Sequence, residues 1–201
     1  FFLESLPSKA MVVGGGYIAV EMAGILNGLG VDTTLVYRGD MLLRGFDEEI
    51  RLFVKDEMLK KGIHLLFNDN VTSIDKDQNS GDGLHYKVKL ESGEHEQTGL
   101  ILYATGRTPH TQDLGLENIN VELNKRGEVV VDTHFNSNEE SVFALGDVTG
   151  GMQLTPVALA EGMYLANYLF SKTKPKQIDY TNIATAVFCQ PTIGTVGLTE
   201  E

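Results

Sequence analysis

Ala10-Met11-Val12-Val13-Gly14-Gly15-Gly16-Tyr17-Ile18-Ala19-Val20-Glu21 is the stretch on which the fold turns. Ala10 to Val13 has the length and apolar character of a short buried strand, and Gly14 to Gly16 make a turn. From Tyr17 to Leu29 the apolar residues Ile18, Met22, Ile25, Leu26 and Leu29 recur at helical spacing, with Gly30 placed to end the helix. Strand, glycine turn and helix in that order fit the dinucleotide-binding fingerprint, with Ala19 at its last small position. Each position has a physical task. Gly14 permits the tight turn, Gly16 lets the backbone approach a pyrophosphate, and Ala19 allows close helix packing while the N–H groups at the helix head supply anion donors.

Working outward, Asp32 to Tyr37 reads as the next strand, and Asp47 to Lys61 as a second amphipathic helix with Ile50, Phe53, Val54 and Met58 on one face. Asp47, Glu48 and Glu49 at its start and Lys60 and Lys61 at its finish agree with the helix dipole, and Gly62 stops it. Ile63 to Phe67 completes a βαβαβ unit of the doubly wound, parallel-sheet kind. Three further strands follow around turn signals: Val71 to Asp75, Leu84 to Leu90 after the turn at residues 79–83, and Leu100 to Ala104 beyond Glu91-Ser92-Gly93. Thr105 to Pro109 breaks the pattern and marks a domain crossing. Beyond it lie short strands at Val129 to Val131 and Val142 to Leu145, then a helix from Pro156 to Phe170 with Thr155 as N-cap and Pro156 as first helical residue. A new strand-rich element starts at Tyr180. The fold class expected is α/β, a doubly wound Rossmann-like domain with an antiparallel β-meander, plus part of a second domain.

Composition fits an ordinary soluble globular protein of 201 residues, with 42% hydrophobic and 22% charged residues. No run approaches the roughly 20 apolar residues of a membrane span, and no signal peptide is evident, so the cytoplasm is the default location. A formal net charge of −12 argues against a sequence-independent nucleic-acid binder. The one cysteine, Cys189, excludes an internal disulfide and reads as a buried inert thiol. His64, His85, His95, His110 and His134 lack metal-ligand spacing and are assigned no role, and Met11, Met22 and Met58 read as packing residues.

Cofactor preference is legible at the end of the second strand. An NAD site places an acid there, about 20 residues after the glycines, to bond the ribose hydroxyls. Tyr37 and Arg38 stand in that place instead. With no carboxylate to repel a 2′-phosphate, and Arg38 and Arg44 able to grip one, NADP is preferred; the alternative for Arg44 is an ordinary solvated side chain.

These residues resemble the pyridine-nucleotide disulfide oxidoreductases, and within them the NADPH-dependent members that reduce glutathione disulfide. The resemblance runs over essentially the whole chain. It is carried by GGGYIAVE at 14–21, by Tyr37 to Phe46 with its two arginines, and by Ala104-Thr105-Gly106-Arg107-Thr108-Pro109. Ala144-Leu145-Gly146-Asp147, Leu154-Thr155-Pro156-Val157-Ala158 and IGTVGLTE at 193–200 complete it. It implies an internal portion of a longer FAD enzyme: an NADPH-binding domain over residues 1–108, the central part of the FAD domain over 109–179, and the start of a dimer interface domain over 180–201. It further implies that Gly14, Gly16, Ile18 and Ala19 cradle NADPH and that Arg38 and Arg44 clamp its 2′-phosphate, although Gly39 stands where the family often has a basic residue. Tyr17 resembles the aromatic gate over the flavin, Glu21 the acid near the nicotinamide carboxamide, and Gly106 and Arg107 the NADPH contact at the domain junction. Asp147 resembles the aspartate that bonds the flavin ribityl chain. Leu154 and Thr155 resemble the helix head at the flavin edge, whose dipole favours negative charge on the reduced ring. The implied partners are glutathione disulfide and a second copy of the chain, with no nucleic acid and no membrane. No catalytic residue is expected in this segment, which alone is expected to be inactive. The alternatives are a non-catalytic nucleotide-binding module, or a related reductase of trypanothione or thioredoxin.

Overall fold

The computed structural model describes residues 3–77 and 85–200. The turn expected at residues 79–83, and Leu84 after it, lie outside them. By internal contacts the chain divides into two compact units, Phe1–Gly106 with Asn182–Glu201, and Arg107–Thr181.

In the first unit β1 (Lys9–Val13), α1 (Tyr17–Gly28), β2 (Asp32–Tyr37), α2 (Glu48–Lys60) and β3 (His64–Phe67) follow one another as the pattern predicts. After them come β4 (Val71–Lys76), β5 (Tyr86–Leu90), β6 (His95–Thr98) and β7 (Leu100–Tyr103). A parallel sheet has the order β3-β2-β1-β7, so the Leu100 strand returns to the first sheet and pairs with β1, Ala10 opposite Leu100. The antiparallel meander is β4-β5-β6, and its last strand, His95–Thr98, was not foreseen.

Side-chain alternation along the strands divides the core. Ala10, Val12 and Leu35 face one side, with Ala19, Val20, Ala23 and Leu26 of α1 and Val54 and Met58 of α2. Met11, Val13 and Val36 face the other, against Val88 and Leu90 of β5. Both helices thus cover one face, and the meander takes the face that a doubly wound sheet gives to a further helix.

Two expected helix faces need correction. On α1 the buried residues are the small Ala19, Val20 and Ala23 with Leu26, whereas Ile25 and Leu29 are 50% and 58% exposed. Small side chains let the helix lie close to the sheet, which rotates the bulky positions outward. On α2, Val54 and Met58 are buried but Ile50 and Phe53 are exposed. The expected dipole signals hold: the Asp47 carboxylate caps α2 by accepting the N–H groups of Glu49 and Ile50.

The second unit holds α3 (Thr155–Phe170) and short 3₁₀ turns at Leu116–Ile119 and Gly146–Thr149. The strands expected at 129–131 and 142–145 reduce to isolated bridges, Leu123 with Val129 and Asn136 with Phe143. The Asp132 carboxylate explains the first, because it accepts the N–H groups of His134 and Asn136 and bends the chain just beyond Val131. A hairpin of β8 (Thr185–Val187) and β9 (Ile193–Thr195) follows, and its Val187, Cys189 and Ile193 join the helical side of the first unit's core. Among the described residues no helix is long and apolar enough to cross a membrane.

Asp69 joins the parallel sheet to the meander. It is buried between β3 and β4, and its Oδ1 accepts the N–H groups of Asn70 at 2.8 Å and Ser92 at 3.2 Å. Burial pushes its carboxyl up, but the Ser92 and Asn70 hydrogen bonds outweigh that and hold it below the ordinary carboxylate range. A depressed carboxyl contributes stability that is fully present above the unfolded-state pKa of about 3.9 and is lost as pH falls through the folded value. Urea melts between pH 7 and pH 2 are expected to show Asp69→Asn less stable at neutrality and declining less steeply in acid; parallel curves would contradict the role given to Asp69.

Candidate functional site

The glycine turn is shaped by what surrounds it. Gly14 has φ +143° and donates its N–H to Val36 O at 2.9 Å, and a Cβ at this position would overlap the carbonyl oxygen of Ala104. Only glycine satisfies both conditions. Gly15 lies beneath the ring of Tyr37, whose atoms would stand 2.5 Å from an added Cβ. Gly16, the N-cap of α1, is open: a Cβ there would meet nothing within 4 Å, and no side chain caps the helix. The first amides of α1, at Tyr17, Ile18 and Ala19, therefore face that opening without a side-chain acceptor, as an anion cradle requires. Ala19 is fully buried, so its methyl is what lets the helix head sit against the turn.

The loop after β2 is fixed to this turn. Leu43 donates its N–H to Gly15 O at 2.7 Å, and the side chains of Leu42 and Leu43 are completely buried. Burying each contributes about 1.5–3 kcal/mol. Arg51 of α2 adds two bonds, Nε to Leu42 O at 2.7 Å and Nη2 to Met41 O at 3.4 Å. Arg38 and Arg44 are exposed on this anchored loop, and neither forms an ion pair with any described residue. Gly39 also lies against Tyr37, where a Cβ would approach the ring to 2.6 Å. A basic side chain at position 39 would meet the same obstacle, which accounts for glycine there.

Glu21, expected near the nicotinamide carboxamide, bonds a backbone amide of its own chain. Its Oε1 accepts the Phe188 N–H at 2.8 Å, next to β8. Cys189 in the same segment is buried, and burial pushes its thiol up while Sγ lies 3.0 Å from Pro191 O. These are the properties of an unreactive packing thiol.

Gly106, exposed with φ +132°, ends the first unit. In the second, Arg107 and Asp147 approach each other at 3.9 Å through half-exposed side chains, a weak pairing. Asp147 lies in the 3₁₀ turn that follows buried Gly146. The expectation of Thr155 as N-cap is corrected: Leu154 is the N-cap of α3 and makes no side-chain cap, so Thr155 and Pro156 are the first helical residues. Proline has no N–H, and the Val157 and Ala158 N–H groups both bond Leu154 O. Thr155 N–H is the donor left open at this helix head.

Three contributors escaped the sequence reading: Tyr37 as the ring over two glycines, Arg51 as the brace of the arginine loop, and buried Glu161, which accepts the Gly146 N–H. Only Glu161 carried a prior signal, as a carboxylate within an otherwise apolar helix.

A glycine turn with open helix-head amides, beside a loop carrying Arg38 and Arg44 on a parallel sheet, defines a Rossmann-like α/β protein. Comparison with known proteins narrows this. The model of the pyridine nucleotide-disulphide oxidoreductase family matches residues 1–162, and the chain belongs to that family. It is 46% identical over 199 residues to the chloroplastic/mitochondrial glutathione reductase of Pisum sativum, covering 99% of this chain and 35% of the relative. It is 40% identical over 204 residues to trypanothione reductase of Trypanosoma congolense, covering 100% of this chain and 40% of the relative. Among solved structures, the HOCl-induced flavoprotein disulfide reductase RclA from Escherichia coli superposes with a TM-score of 0.90 at 30% identity, over 99% of this chain and 44% of that one. The chain thus spans between a third and a half of the length of these relatives.

The Tyr37 contact can be tested directly. Gly15→Ala is expected to cost about 1–3 kcal/mol by overpacking, and most of that cost is expected to vanish in a Tyr37→Ala background. An equal cost in both backgrounds, read from chemical denaturation, would refute the ring contact.

Proposed function

We propose that this chain is the NADPH-binding and central portion of a reductase of glutathione disulfide that works through FAD. The observation that carries the proposal is the loop bearing Arg38 and Arg44, bonded to the glycine turn at Leu43 and free of any carboxylate partner among the described residues. When bound, NADPH supplies a hydride and FAD relays the electrons toward the disulfide.

The residues of the chain divide the work of holding the two cofactors. Gly14 and Gly16 shape the pyrophosphate cradle, and the amides of Tyr17, Ile18 and Ala19 supply its donors. Arg38 and Arg44 hold the 2′-phosphate, which no acid at the end of β2 repels. Tyr17 also gates the flavin face. Glu21 keeps its second carboxylate oxygen for the nicotinamide carboxamide, and Gly106 and Arg107 are further NADPH contacts. Asp147 accepts from the ribityl chain of the flavin, and Leu154 with the open Thr155 N–H meets its pyrimidine edge. In this proposal residues 1–108 are the NADPH-binding domain, 109–179 the central part of the FAD domain, and 180–201 the start of the interface domain of a homodimer. A cytoplasmic setting goes with it.

The 40% identity with the trypanosomal relative supports a second reading in which the physiological disulfide is trypanothione. Turnover of the full-length protein with each disulfide separates the two.

Arg38→Glu combined with Arg44→Glu is expected to lower the preference for NADPH over NADH by roughly a hundredfold or more, since two charge-assisted contacts are removed. Isothermal titration of both nucleotides reads the ratio, and an unchanged preference would defeat the cofactor assignment.

A further inference from the structure

Glu161 is a buried carboxylate that the functional reading leaves unused. It is 4% exposed on α3, and among the described residues no Lys, Arg or His pairs with it. Keeping a carboxylate out of water without a cation is costly unless its oxygens are bonded. Both are: Oε2 accepts the Gly146 N–H at 2.6 Å and Oε1 accepts the Tyr180 hydroxyl at 2.9 Å. The Tyr180 phenol is pushed up to about 12, by burial first and then by its bond to Glu161, so it remains a donor across the physiological range.

What this carboxylate grips is informative. Gly146 immediately precedes Asp147 and has φ +71°, and a Cβ there would lie 3.2 Å from Ala158 Cβ on α3. The turn carrying Asp147 is therefore seated directly on α3, and the bond to Glu161 fixes its height along the helix. The head of the same helix presents Leu154 and Thr155. One side chain thereby holds the two candidate flavin-facing elements in register, the Asp147 turn and the first turn of α3, while Tyr180 ties the end of the unit to the same point.

On this geometry, and resting on the flavin assignment above, we propose that Glu161 is a positioning residue for FAD: it acts through Gly146 to hold Asp147 where the ribityl chain is bound. An apolar residue of similar size would fill the space but would leave the Gly146 N–H buried without an acceptor. Glutamine would not, because its amide oxygen accepts from Gly146 while its NH₂ donates to the Tyr180 oxygen.

The test uses the full-length flavoprotein. Dissociation of FAD is followed by the rise in flavin fluorescence, with NADPH affinity measured alongside as a control on the first unit. Glu161→Leu is expected to release FAD roughly tenfold faster or more, and Glu161→Gln to stay within about twofold of wild type, with NADPH affinity unchanged in both. Unchanged FAD release in Glu161→Leu, or equal acceleration by Leu and Gln, would overturn the role. Should Glu161→Leu not fold, Glu161→Met takes its place: it also removes the acceptor of the Gly146 N–H, faster FAD release than in Glu161→Gln supports the role, and wild-type release overturns it. A wild-type protein that purifies without flavin and binds none would instead remove the flavin assignment itself.

Discussion

A single backbone bond, Leu43 N–H to Gly15 O at 2.7 Å, joins the glycine turn to the loop bearing Arg38 and Arg44, and the rest of the first unit is arranged so that it can form. Gly15 must carry no side chain because Tyr37 occupies the space above it, and Gly39 must carry none because the same ring extends over it. Leu42 and Leu43 then enter the core, which commits the loop between them and α2 to one path. The backbone that carries Arg38 and Arg44 is held along this path. In the proposed function the loop backbone is fixed before a 2′-phosphate binds, and only the exposed guanidinium side chains of Arg38 and Arg44 are left to order.

The same principle of a fixed backbone presenting a few exposed polar groups governs the second unit. Gly146 is pinned from α3 by a methyl on one side and a carboxylate on the other, and Asp147 emerges beside it, partly in solvent. In both units the candidate side chains Arg38, Arg44 and Asp147 are exposed. What positions them is a scaffold of glycines and of polar side chains that bond the backbone, half-buried Arg51 in one unit and buried Glu161 in the other.

Much of this was legible in the sequence, for definite reasons. The order of strand, glycines and helix is local, and so are the acids and lysines at the ends of α2, which is why both survive comparison with the fold. Contacts distant in sequence were not legible. The unbroken apolar run Leu100-Ile101-Leu102-Tyr103 fits a buried parallel strand better than the alternating meander, but nothing in it names β1 as its neighbour. The α1 face was misjudged because the helix is seated by Ala19 and Ala23, small residues that hydrophobic periodicity underweights beside Ile25 and Leu29. Thr155 read as an N-cap because threonine before proline is a common helix start, yet the helix begins one residue earlier, on Leu154. Glu161 went unread because an acid in a largely apolar helix does not name its partner, and Gly146 lies 15 residues away.

The central claim is that the glycine turn and the arginine loop form one preformed anion site for a 2′-phosphorylated adenosine. Competitive titration with 2′,5′-ADP and with 5′-AMP measures it most directly, because the two ligands differ only in that phosphate. The account predicts roughly tenfold or greater preference for 2′,5′-ADP at low salt, narrowing as ionic strength screens the exposed guanidinium groups. Equal affinity for the two at low salt would contradict it.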